Sequence, residues 1–308
     1  MMKNKWLQLC VEMMRTGIKY EWGNAESMKH FDMMVSHAVT TIECAYLPDY
    51  NAISPHDDLA LLCNTIGFGL RYSGEYHSSL DCYIKVLSMR KNTLGHMSSL
   101  RATLYYNIAW LYDEMADYNS ALEWYLKDLT ISEAVHGRDG ISTAHTYNTI
   151  GSVYSKLHNY KKAMSYYKRA LFCFETRFGK NSPDVSMVCN NIANVYAERR
   201  LYEQALKWHH RDLAICEISL GKKHPDTATS YNNLGMTFHD MGKPQEAIEW
   251  YEKAIAIRCS VLGESHPALE KTIANAYRAY RDIENPAASF AAWLENVLAG
   301  ENGSEGIK

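Results

Sequence analysis

Tyr231-Asn232-Asn233-Leu234-Gly235 and, further along the same segment, Leu262-Gly263-Glu264-Ser265-His266-Pro267 decide the fold. Tyr231, Leu234, Gly235 and Phe238 are spaced i, i+3, i+4, i+7, which predicts the apolar face of a helix. Gly242 breaks that helix, and Pro244 suits the first turn of another. Ala247, Tyr251, Ala254 and Ile255 form a second helical face. Gly263 ends it as a glycine just past a helix would, and His266-Pro267 opens the next segment.

The segment recurs. Gly95, Gly137, Gly179, Gly221 and Gly263 lie 42 residues apart. In the same step run Ser79, Ala121, Ala163, Ala205, Ala247, and Gly67, Ala109, Gly151, Ala193, Gly235. Ile66, Ile108, Ile150, Ile192 and Leu234 precede the latter row, while Tyr76, Tyr118, Tyr160 and Tyr202 give way to Pro244. The units are 60–101, 102–143, 144–185, 186–227 and 228–269, with no insertion between them. Small residues let two helix backbones approach, and large ones fill the spaces between turns. One such pair cannot bury its own apolar face, so neighbours are expected to stack.

Composition narrows the function classes. The 308 residues carry 32 basic and 35 acidic side chains, so the basic surplus of a generic nucleic-acid binder is missing. Seventeen Gly and seven Pro are few for the length and fit long helices with short connections. The start of the chain lacks the apolar core and cleavage site of a signal peptide, and no run of 18 apolar residues predicts a membrane span. None of the eight Cys forms a CxxC pair, so a zinc or redox motif is not expected, and a reducing cytoplasm is the expected compartment.

The order of aromatic, Leu-Gly, Tyr, Tyr, Ala and a final small residue over about 60–269 resembles the tetratricopeptide repeat. The paired Asn before Leu-Gly and the Leu-Gly-x-x-His-Pro connector are similar to the 42-residue version found in kinesin light chains. The resemblance implies an all-α fold, a right-handed solenoid of stacked antiparallel helix pairs. It also implies that the first helix of each unit lines a concave groove. Residues 1–59 are then N-terminal capping helices and a linker, 270–299 a degenerate sixth repeat or C-terminal cap, and 300–308 a disordered tail. Tyr277 stands where Gly235 stands one step earlier, which should prevent the usual close packing of the last pair.

The groove rows implied by the resemblance can be read off by the step. Asn64, Tyr106, Asn148, Asn190 and Asn232 form one row, and Thr65, Asn107, Thr149, Asn191 and Asn233 the next. One turn on lie Phe68, Trp110, Ser152, Asn194 and Met236. An amide offers both donor and acceptor, so a row of them can pair with an extended peptide backbone without reading its sequence. The same Asn side chains could instead brace neighbouring helices, and both readings stay open at this point. Leu61, Thr103, His145, Met187 and Thr229 place no Lys or Arg where a carboxylate clamp would need one. Tyr72, Glu114, Lys156, Glu198 and Asp240 are mostly acidic, which favours a neutral to basic ligand.

Other candidates read as structural. His209 and Asp212 share a helical face and could hold a metal, but His209 fills the slot of Tyr83, Tyr125, Tyr167 and Tyr251, so a buried polar pair is expected. The Lys161-Lys162, Lys168-Arg169, Arg199-Arg200 and Lys222-Lys223 pairs read as solvated helix faces. No phosphate loop, HExxH, GxSxG or GxGxxG motif is present. The expected function is a non-catalytic interaction module without cofactor or metal that binds a protein or peptide, with neither nucleic acid nor membrane as partner. The alternatives are a regulatory peptide sensor whose solenoid changes shape, or an architectural subunit assembling through its terminal helices, with homo-oligomers possible.

Overall fold

The computed structural model describes residues 66–71, 73–89, 99–286 and 288–299. The expected N-terminal cap at 1–59 and tail at 300–308 lie outside them, as does Asn64. The chain divides into two compact units, 1–138 and 139–308. The first contains α1 (Tyr76–Met89), α2 (Ser99–Glu114) and α3 (Tyr118–His136), preceded by helical residues 66–71. The second contains α4 (Ile141–Lys156), α5 (Tyr160–Phe178), α6 (Pro183–Glu198), α7 (Tyr202–Ser219), α8 (Pro225–Asp240), α9 (Pro244–Leu262), α10 (Pro267–Arg281) and α11 (Phe290–Leu298). No strand occurs among the described residues. Consecutive helices form antiparallel pairs, α4 with α5, α6 with α7 and α8 with α9.

The turn within each pair is chemically the same. The amide of Asn159 donates to Tyr154 O, that of Leu201 to Tyr196 O and that of Lys243 to Phe238 O, at 2.8, 2.8 and 3.0 Å. The residue before each donor is left-handed: His158, Arg200 and Gly242 have φ of 55°, 58° and 75°. This is the hydrogen-bonded stop that satisfies carbonyls at the end of a helix.

The openings of the first helices are capped by side chains. The Ser182 hydroxyl accepts the amide of Val185 at 3.3 Å. His224 Nδ1 accepts from the amide of Asp226, and His266 Nδ1 from that of Ala268, each at 3.1 Å. An imidazole can accept there only as the tautomer protonated on Nε2. The recurring His-Pro therefore pairs a cap with a residue whose ring already holds the helical φ.

Between the two helices of a pair sits one large side chain. Tyr83, Tyr125, Tyr167, His209 and Tyr251 are all buried. A Cβ on Gly151 would lie 2.7 Å from the Tyr167 ring, and one on Gly235 would lie 2.8 Å from the Tyr251 ring. Glycine is required at these two positions because the ring lies directly on the backbone. The last pair departs from this. Helix α11 starts at Phe290 with Ser289 as its cap, not at Pro286, the position one step of 42 beyond Pro244, and has nine residues against nineteen in α9. Tyr277 is 47% exposed, with its ring edge-on to Phe290 at 5.1 Å.

Candidate functional site

The first helices of the second unit carry a ladder of amides. Asn191 Nδ2 donates to Asn148 Oδ1 at 2.9 Å, Asn233 Nδ2 to Asn190 Oδ1 at 2.9 Å, and Asn275 Nδ2 to Asn232 Oδ1 at 3.1 Å. Each bond joins one row of a helix to the adjacent row of the next first helix, so α4, α6, α8 and α10 are stitched together in sequence. Asn148, Asn232 and Asn275 are buried, while Asn190, Asn191 and Asn233 are half-buried. Asn194 is exposed, and Met236 beside the ladder is exposed too. One bond uses only part of an amide's capacity of two donors and two acceptor lone pairs.

The remaining expected groove residues lie in the first unit. The half-buried Tyr106 packs its ring against Tyr125 at 5.4 Å. Trp110 lies under the Arg71 guanidinium, 4.2 Å from its centroid, and edge-on to Tyr76. Asn107 is half-buried. The structure thus pairs Asn191 with Asn148, links Asn190, Asn233, Asn232 and Asn275 through a further bond from Asn232 Nδ2 to Asn233 Oδ1 at 3.3 Å, and keeps Tyr106 and Trp110 in aromatic contacts of their own. Asn275 was missed by the sequence reading, although it lies one step of 42 beyond Asn233.

A cavity of about 380 Å³ opens between α6, α7 and α8. Met187, Asn190 and Thr229 line it, together with the carboxylates of Asp184, Asp212 and Asp226. Asp212 is buried and accepts a hydrogen bond from Ser186 on one oxygen and from Ser230 on the other, the latter at 2.7 Å. Burial pushes its pKa up, and these hydroxyl bonds oppose the shift.

His209 is 1% exposed, and its Nδ1 has no hydrogen-bond partner. Burial, assisted by neighbouring His210, lowers its pKa to about 4, so the ring is neutral at physiological pH. It does not join Asp212, whose bonds come from Ser186, Ser230 and Cys216. Among the described residues no group of three His, Cys, Asp or Glu side chains could hold a metal. Cys82 and Cys189 are buried thiols whose pKa values desolvation raises to about 11 and 12, so neither supplies a thiolate nucleophile.

Helix pairs in one repeating register, each with a large side chain seated on a small residue, are the pattern of a known repeat, and a tetratricopeptide-repeat family model matches residues 57–127, 121–175 and 184–260. The chain belongs to the tetratricopeptide-repeat family. Among solved structures, this tetratricopeptide-repeat protein is similar to BtubC (BKLC) from P. vanneervenii, at 23% identity over 84% of this chain and 96% of that one, with a TM-score of 0.63. It is also similar to the nearly identical, kinesin-light-chain-like repeats of a Podosopora anserina protein, at 16% identity, 66% and 96% coverage, and a TM-score of 0.56. The apo form of the quorum sensor NprR from B. thuringiensis matches at 18% identity, 89% and 74% coverage, and a TM-score of 0.61. These likenesses concern the fold. No curated protein sequence matches the chain. Among the described residues, no helix of this repeat protein is long and apolar enough to cross a membrane.

Proposed function

We propose that this chain is a non-catalytic interaction module of the cytoplasm that holds an extended peptide or partner segment along the first-helix rows. The observation that carries this reading is the amide ladder. It fixes the register of successive first helices, so that the exposed Asn194 and Met236 stand at set positions beside half-buried amides with hydrogen-bonding capacity to spare. Backbone pairing from such a face would bind an extended chain with little dependence on its sequence. The carboxylates of Asp184, Asp212 and Asp226 around one cavity favour a neutral to basic ligand.

The test is a photo-crosslinking residue placed at Asn194 or Met236, compared with one at Phe172 or Ile218. The latter two are 61% and 68% exposed on second helices α5 and α7. Crosslinks to partner confined to positions 194 and 236 support the groove. Crosslinks confined to 172 and 218 would refute it.

A regulatory sensor is the second reading, favoured by the likeness to NprR, a quorum sensor. A peptide that changes the helix offset must strain or break ladder bonds. Small-angle scattering with and without the captured peptide tests this, and unchanged dimensions would exclude it.

A further inference from the structure

We propose a second binding surface, at the turn edge of the stack, that takes an acidic extended segment of a protein partner. It goes beyond the groove reading and shares no lining residue with the amide rows. The turn between α4 and α5 and the end of α6 bound an open pocket of about 980 Å³. Lys161, Lys168, Arg199 and His158 line it, with the rings of Tyr160 and Tyr196 between them. No Asp or Glu is part of the lining.

The three cations, Lys161, Lys168 and Arg199, are uncommitted. All are exposed and make no ion pair among the described residues. Surface cations elsewhere in the molecule are often engaged: Arg211 pairs with Glu175, and Lys127 with Glu123. The carboxylate beside the pocket, Glu198, accepts from the Ser155 hydroxyl at 3.4 Å; desolvation, and then the charge and hydrogen bond of this same carboxylate, raise the pKa of the Tyr160 phenol. The His158 ring is held by the Tyr160 hydroxyl at 2.9 Å from Nδ1. That contact sets the orientation of both side chains at the pocket wall.

The repeat provides its own control. One step of 42 later, the positions of Lys161, Lys168 and Arg199 hold Glu203, His210 and Met241, and a further step on they hold Gln245, Glu252 and Ile283. Packing of the fold therefore does not call for cations here. In sequence these residues read as scattered surface pairs, whereas α5 carries Lys161 and Lys168 seven residues apart and the packing of α6 on α5 adds Arg199 to the same pocket.

Charge complementarity selects the occupant. Three unpaired cations with two aromatic rings suit carboxylates on a flexible chain, whose methylene groups can lie on the tyrosines. A duplex or long single strand of nucleic acid needs a wider basic track than three residues, and the whole chain has a net charge of −3.

The experiment uses the full chain and a fluorescein-labelled peptide of alternating Glu and Gly, followed by fluorescence anisotropy. Binding is expected at low salt and weaker at ~150 mM, as screening requires. The K161A/K168A/R199A variant is expected to bind about tenfold more weakly, and a K222A/K223A variant like the wild type. All substituted side chains are exposed, and unchanged thermal melting confirms that each variant is folded. Any one of four results overturns the proposal: no binding by the wild type at ~1 mM protein, equal binding by the triple variant, equal binding of a Lys-Gly peptide, or tighter binding of an oligothymidylate.

Discussion

Helix pairs α8–α9 and α10–α11 start alike and end differently. Both first helices open on His-Pro, with the imidazole accepting an amide two residues on at 3.1 Å. Both belong to the amide ladder, through Asn232 and Asn275. In the first pair, Tyr251 lies on Gly235, and α9 runs nineteen residues. In the second, Tyr277 replaces the glycine, α11 starts a turn later, and it runs nine residues. A side chain of that size cannot sit between two backbones in contact. The second helix therefore shifts, and Tyr277, Tyr280, Phe290 and Trp293 fill the gap with their own rings, at centroid distances from 5.1 to 5.8 Å. Helix α11 then packs on α9 as well, with Val297 in one apolar cluster with Ile248, Tyr251 and Ile255.

The sharpest way to break this comparison is Gly235→Val. Its Cβ would lie 2.8 Å from the Tyr251 ring, with two methyls beyond it, so a loss of about 4 kcal/mol is expected in denaturant unfolding. Tyr277→Val, at the same step but 47% exposed, should cost about 1 kcal/mol or less. Similar losses for both would mean that the contact at Gly235 does not distinguish the pairs.

The next test concerns the slot of Tyr251 one step earlier, where His209 is buried. Unfolded, a histidine takes up a proton near pH 6.5, whereas folded His209 stays neutral down to about pH 4. The unfolded state then binds more protons between those values, so stability falls as pH drops through that window, by up to about 3 kcal/mol. His209→Gln should flatten that part of the pH profile of the denaturant midpoint. An unchanged slope would show that another group carries the dependence.

Much of this was legible in the sequence because the information is periodic. Helices begin at Tyr118, Tyr160, Tyr202 and Pro244, one step of 42 apart, and the glycines at 137, 179, 221 and 263 all have φ between 79° and 91°. What did not follow the step could not be read. Ser186 and Ser230 reach Asp212 from two helices, yet they occupy unrelated positions in their units. The amides were visible as rows, but their bonds join residues 43 apart, an offset set by how one helix leans on the next. The pocket of Lys161, Lys168 and Arg199 depends on how α6 packs against α5.

The ladder supplies a smaller test of what the two pairs share. Asn232→Ala would leave the buried Nδ2 of Asn275 without its acceptor, which should cost about 2 kcal/mol. Asn275→Ala should cost a similar amount, and the double variant less than the sum, because either change alone breaks the same bond. Full additivity in a double-mutant cycle would mean that the bond does not couple α8 to α10.

The smallest effect lies in the turns. The α8–α9 turn uses Gly242 at φ 75°, and the α10–α11 connection uses Asn285 at φ 53°. The left-handed residue has moved one place beyond the 42-residue step, as expected if the delayed start of α11 draws the connection with it. A left-handed backbone costs about 1 kcal/mol for most side chains, less for Asn, and little for Gly. No atom lies within 4 Å of a Cβ built on Gly242, so Gly242→Ala isolates that backbone cost, and about 1 kcal/mol is expected. Asn285→Gly should change stability by under about 0.5 kcal/mol, since the gain in left-handed preference is offset by a more flexible unfolded chain. A large loss at Asn285 would instead give its side chain a structural part in closing the last pair, and the difference between the two ends would then rest on more than Tyr277.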